Sequence, residues 1–369
     1  MKSSRSWACP WAVGWSKAPA SRKRLQMVDS TTLQRGRHAL ERRCLQSFAA
    51  PASGLGQWTL RCVVRARSPP QPVNAPLRAY YDKEQARITQ QVAVAEHGEL
   101  LGFWWAARDR LQPGRVTFFL FVKPEGRGQG IGRSLYESLE RAMQAAQVRQ
   151  LRVSVWDNQP EDRAFAERRG FIERSHALAM VLDLATFDDR PDDAIIAGLQ
   201  GEGFQFTSMA ALGDTEEAQR KLYALNDTTN RETLGGDGAP SWASFEDFQQ
   251  RVCRADWYKP GGQMVVIDTA TGDWAAMSAI SRFDDHAYNL HTGVDRRYRG
   301  RKLAQAVKVL ALRYARDVLQ VATVHTHHNS RNLPMIAIDR KLGYVQTPGT
   351  WLMEKSLGCD TPAAAALPD

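Results

Sequence analysis

Apolar residues recur at every fourth position through Ile131, Leu135, Leu139 and Met143, with Glu137, Glu140 and Arg141 on other faces. That spacing predicts an amphipathic helix. The run RVTFFLFV, Arg115 to Val122, predicts a strand just ahead of it, and the intervening VKPEGRGQGIG is too rich in glycine to be either. Further signals place a strand at Trp58 to Val64, a helix at Ala75 to Ile88, and a hairpin of Gln91 to Ala95 with Leu100 to Ala106. A strand at Leu151 to Trp156, a short helix at Glu161 to Arg169 capped by Gly170, and a strand at Ala177 to Leu182 complete the first half.

The same order begins again after Phe204. Helices are predicted through Thr215 to Asn226 and Phe245 to Ala255, and strands at Gln263 to Asp268, Trp274 to Ser281 and Tyr288 to Val294. A second loop, VDRRYRGRKLA, then opens a helix striped by Leu303, Val307, Leu310 and Tyr314. Gly128 and Gly170 are 42 residues apart, and Gly300 and Gly343 are 43 apart. Agreement that close implies a tandem duplication of one α/β unit. The expected fold class is therefore α/β (α+β), with two domains at 58–185 and 201–358. A linker at 186–200, which contains the pattern-breaking Asp188-Asp-Arg-Pro-Asp-Asp193, separates them, and 359–369 is a flexible tail.

Charge changes this picture only at the front. The chain of 369 residues carries a formal +9, but residues 1–75 alone hold 13 Lys or Arg against Asp29 and Glu41. The remainder is nearly neutral, so the basic balance implies no nucleic-acid partner for the folded part. Residues 1–57 read as a basic, disordered leader; Pro10 and Gly14 break its resemblance to a signal peptide. No run reaches the ~18 apolar residues of a membrane span. Five scattered cysteines without a C-x-x-C pair argue against a disulfide framework or a zinc site and suit a reducing cytoplasm.

The candidate chemistry lies in the two loops. Amides in the first turn of a helix lack intrahelical partners and, with the helix dipole behind them, attract anions. Gly128, Gly130 and Gly132 would let a diphosphate approach them, and Arg127 and Arg133 add positive charge. The spacing is G-x-G-x-G, so neither a Rossmann fingerprint nor a Walker loop is present.

Arg127-Gly-Gln-Gly-Ile-Gly132 resembles the Q/R-x-x-G-x-G/A acyl-CoA loop of the GNAT superfamily of N-acetyltransferases. Arg299-Gly-Arg-Lys-Leu-Ala304 resembles it too, except that Lys302 replaces the second glycine. NSRNLPMIAIDRKLGY, Asn329 to Tyr344, is similar to a segment of tandem, mycothiol-synthase-like members. The resemblance implies two GNAT-like domains, each a mixed, mostly antiparallel sheet flanked by helices. It also implies acetyl-CoA as acyl donor, with no metal, and an amine of a small molecule or peptide as acceptor. Carried over, it assigns the pantetheine arm to main-chain groups of Val122 and Val294. The diphosphate falls to Arg127, Gly128, Gln129, Gly130, Ile131, Gly132 and Arg133, and in the second copy to Arg299, Gly300, Arg301, Lys302, Leu303 and Ala304. Asn329 is placed toward the pantetheine.

The implied reaction is direct attack of an amine on the acetyl thioester. The family often supplies a tyrosine, four residues before the glycine of its Gly-aromatic pair, as proton donor to the leaving thiolate. Here those positions are Ala166 and Asp339. The departure keeps a rival reading open, a non-catalytic acyl-CoA-binding or scaffold protein. His291 is a candidate base or simply a satisfied strand histidine. Phe103, Trp104 and Trp105 are candidate acceptor contacts or sheet core. His325, His327 and His328 do not all face one way and lack a carboxylate motif, which argues against a metal site.

Overall fold

The structure is a computed structural model that describes residues 101–358 apart from 234–237 and 239. Outside that range it gives backbone strands only. These are β1 (Leu25–Val28), β2 (Trp58–Arg61), β3 (Ile88–Ala95) and the start of β4 (Leu100–Arg108). β1 lies within the leader expected to lack regular structure, and pairs in parallel with β2. The predicted helix at 75–88 and the tail after 358 lie outside the described residues, save that Ile88 opens β3.

Two compact units are present, one formed by residues 1–174 with 351–369 and the other by Ser175–Thr350. The boundaries differ from those expected because two long strands, not a linker, carry the chain between units. β7 (Ile172–Asp183) and β13 (Val345–Ser356) each have residues in both. The segment expected as linker is largely helical, forming α3 (Arg190–Gly201). Its acid- and proline-rich start resembles a breaker, yet Pro191 in the first turn followed by Asp192 and Asp193 is a favourable helix start. Ile196 and Leu199 then anchor the helix in the core.

In the first unit β3, β4 and β5 (Arg115–Val122) form an antiparallel meander, and β6 (Gln150–Trp156) joins β5 in parallel. α1 (Ile131–Ala145) buries Ile131, Leu135, Leu139 and Met143, the predicted stripe, against Leu101, Trp104 and Leu151. α2 (Pro160–Glu167) follows β6, adding Ala166 to the same core. Phe103, Trp104 and Trp105 are all buried, which makes them sheet core.

The second unit repeats the plan. β8 (Phe204–Ser208), β9 (Gln263–Asp268), β10 (Trp274–Phe283) and β11 (His286–Val294) pair antiparallel in that order, and β12 (Thr323–Asn329) joins β11 in parallel. α4 (Glu216–Arg231) and the single turn α5 (Phe245–Phe248) contribute Leu222 and Phe248 to a second cluster. α6 (Leu303–Tyr314) is the helix after the second loop, and α7 (Leu333–Lys341) follows β12.

Candidate active site

β5 and β6 are paired only over Arg115 to Thr117 with Gln150 to Arg152. Beyond that the strands part, although both continue, and a cleft opens between them. Its walls include Phe119 and Leu120 of β5, Ser154 of β6, Tyr136 of α1, and Asp162 and Ala166 of α2. A strand with one edge unpaired offers backbone N–H and C=O groups to an extended guest.

The glycine loop stands where β5 ends. A short turn, Pro124–Gly126, leads to Arg127 and then to Gly128 and Gly130, both left-handed at φ 72° and 87°. Gly130 is the cap of α1 and offers no side chain to the first-turn amides. A methyl group added there would meet nothing within 4 Å, so the space ahead of the helix is open. The first turn therefore presents the amides of Ile131, Gly132 and Arg133 without a capping side chain. The Gln129 side-chain amide donates to the Glu125 carbonyl at 2.7 Å and braces the loop. Arg127 is nearly buried, and its Nε donates to the Val122 carbonyl at 3.2 Å, a carbonyl that the resemblance assigned to the acyl donor.

Asp162, which the sequence did not flag, lies in this cleft with 4% of its surface exposed and Oδ1 lacking a hydrogen-bond partner. Burial pushes its carboxyl up to about 8, opposed by Arg127 and reinforced by Glu161. Tyr136, whose pKa burial raises, donates its hydroxyl to Glu140 at 3.2 Å and accepts from Lys355 at 3.1 Å.

The second unit reproduces this geometry in outline. β11 and β12 pair only at Ala287–Val324 and Tyr288–His325 before parting. Arg299 Nε donates to the Val294 carbonyl at 3.2 Å, the same bond that Arg127 makes. Lys302 holds the left-handed conformation of Gly130 at φ 64° and caps α6, with Leu303 and Ala304 opening the helix. Two arginines of the loop are engaged within the unit, Arg299 with Glu232 at 2.5 Å and Arg301 with Glu202 at 2.6 Å.

Behind this loop the two units differ. Asp339, at the place of the family's proton donor, forms an ion pair with Lys308 of α6, both side chains fully buried. Its other oxygen lies 2.5 Å from His328 Nε2. Burial alone would raise the carboxyl, but Lys308 and His328 hold it below its ordinary value. Asp339 therefore stays an anion at neutral pH and has no proton to give. His291 is closed off as well, its Nε2 being 2.8 Å from Thr229 Oγ1 and burial pushing the ring down to about 4. The Asn329 Oδ1 accepts the Arg331 N–H at 3.0 Å. Gln159 caps α2 and Asn332 caps α7, each 11 residues before its glycine, Gly170 or Gly343. Among the described residues no group of three His, Cys, Asp or Glu could hold a metal ion, and no helix is long and apolar enough to cross a membrane.

The Acetyltransferase (GNAT) family matches residues 60–171. A 5-NmdU N-acetyltransferase of Pseudomonas phage PaMx11 is 32% identical over 99 residues, which is 27% of this chain and 69% of the phage protein. Among solved structures, a GCN5-related N-acetyltransferase from Sphaerobacter thermophilus superposes with a TM-score of 0.60 at 17% identity, covering 82% of this chain and 97% of that one. A tandem GNAT protein from the clavulanic acid biosynthesis pathway gives 0.57 at 18%, covering 87% and 94%. The chain belongs to the GNAT family of acetyltransferases.

Proposed function

We propose that the protein is an acetyl-CoA-dependent N-acetyltransferase whose first unit carries the reaction, transferring acetyl to an amine by direct attack on the thioester. The observation that carries this reading is the parting of β5 from β6 beside the uncapped, open start of α1. A diphosphate fits the amides of Ile131, Gly132 and Arg133, with charge from Arg127 and Arg133, and an extended pantetheine arm fits the unpaired edge of β5. Two groups on neighbouring sites gain mainly from being held together and oriented. The amine must be neutral to attack, and an alkylammonium of pKa near 10.4 costs roughly 4.6 kcal/mol to deprotonate at pH 7. An acceptor of lower pKa, or desolvation in the cleft, reduces that cost.

For the second unit the reading is different: an acyl-CoA-binding or structural half. Its Asp339 is fixed in an ion pair and its loop arginines are engaged by Glu232 and Glu202. We assign the protein to the cytoplasm and its acceptor to the small-molecule or peptide amines.

Thiol release from acetyl-CoA over a panel of amines, with 5-NmdU among them because a relative is named for it, tests the reading. Turnover with at least one amine, abolished by Gly130→Glu and retained by Lys302→Glu, is the expected result. Saturable binding of acetyl-CoA with no turnover would favour a non-catalytic protein instead.

A further inference from the structure

At Ala166 the cleft lacks the hydroxyl that would meet a leaving thiolate, but one helical turn earlier on α2 it holds a carboxyl. Asp162 shares the cleft wall with Ala166, Ser154 and Phe119, is 4% exposed, and leaves Oδ1 without a partner. Buried carboxylates that serve structure are normally bonded on both oxygens, and an ionised one walled by Phe118, Phe165 and Phe171 would be strongly disfavoured. The charged and titratable groups around it are Arg127 on the loop, Glu161 beside it, and Tyr136 and Arg169 on the cleft wall. Tyr136 is already engaged by Glu140 and Lys355, and the Arg169 guanidinium lies 3.3 Å from the centre of the Phe165 ring and donates to the Phe165 carbonyl. Among the described residues that line the cleft Asp162 is the one carboxyl, and its Oδ1 is without a partner.

We propose that Asp162 is the catalytic residue that protonates the departing CoA thiolate, standing in for a tyrosine at 166. The inference rests on the functional reading above. The amine nitrogen bonds to the acetyl carbonyl carbon, and the adduct collapses with cleavage of the C–S bond. The sulfur electron pair takes the Asp162 proton, giving CoA thiol and an Asp162 carboxylate. The proton lost by the amine nitrogen passes to solvent, and one proton returns to Asp162, so the sum is amine plus acetyl-CoA to amide plus CoA. Burial holds the carboxyl near 8, so it carries its proton at pH 7 and surrenders it as pH rises.

The test compares wild type, Asp162→Asn and Asp162→Glu with two donors, acetyl-CoA and the acetyl thioester of 4-nitrothiophenol, whose thiolate leaves without help. With acetyl-CoA, Asp162→Asn is expected to lower kcat about 100-fold while KM for acetyl-CoA changes by less than about threefold. The fall in kcat above pH 8 disappears in that variant. Asp162→Glu retains more activity than Asp162→Asn, and the loss with the activated thioester is below about threefold. Equal losses with the two donors, or an unchanged kcat and pH profile, overturn the assignment while leaving the acetyltransferase reading intact. A wild type that binds acetyl-CoA yet releases thiol to no amine overturns both.

Discussion

Lys308 and Asp339 form an ion pair in which neither side chain is exposed to solvent, and His328 holds the carboxylate's second oxygen. Taking two charges out of water is costly, and their mutual attraction repays it only while both remain. Lys308→Met should therefore destabilise the protein by about 3–5 kcal/mol, because it strands a buried anion. The double variant Lys308→Met with Asp339→Leu should recover most of that loss. Chemical denaturation of the three proteins checks the expectation; a single variant within 1 kcal/mol of wild type would show that the pair is not desolvated as described.

Lys302 holds a backbone conformation that suits glycine, at φ 64°. For an L-residue that conformation costs about 1–2 kcal/mol. Lys302→Gly should gain stability, by about 1 kcal/mol once the greater freedom of glycine in the unfolded chain is deducted. In the other loop Gly130→Ala should lose a similar amount at φ 87°, since the added methyl meets open space and only backbone strain remains. Thermal unfolding of both variants would reveal these opposite signs.

Asp162 makes stability fall as pH rises. Its folded value, about 8, lies above its unfolded one, so the folded protein holds the proton more tightly. Its contribution is complete below about pH 4 and is lost as pH rises through 8. Asp162→Asn cannot ionise and should melt close to wild type at pH 5 but several degrees higher at pH 9. Equal melting differences at the two pH values would mean that the carboxyl is ionised and satisfied in the fold.

His291 has the opposite sign. Burial holds its folded value near 4, so its contribution is present above pH 6.5 and lost as pH falls through 4. Thr229→Val should leave Nε2 unpaired and cost about 1–3 kcal/mol at pH 7. A urea titration at pH 7 would show the cost.

What could be read from the sequence was whatever periodicity or spacing records. The stripe Ile131, Leu135, Leu139, Met143 announced α1 because each residue packs on one face, and the two loops announced themselves by matched spacings. The acid-proline run at 188–193 misled because a helix start and a linker share those residue types; only the burial of Ile196 and Leu199 distinguishes them. The pairing of Lys308 with Asp339 was hidden because it joins distant segments, although a lysine inside the apolar run of α6 was a signal that could have been weighed. The cleft itself was invisible, since β5 and β6 read as complete strands and nothing local says where pairing stops.

The central claim is that the bare start of α1 grips the diphosphate of acetyl-CoA. Calorimetric titration of acetyl-CoA into wild type, Gly130→Glu and Lys302→Glu tests it most directly. Wild type is expected to bind saturably, Gly130→Glu to lose about 100-fold or more, and Lys302→Glu to lose less. Undiminished affinity in a folded Gly130→Glu protein would contradict it.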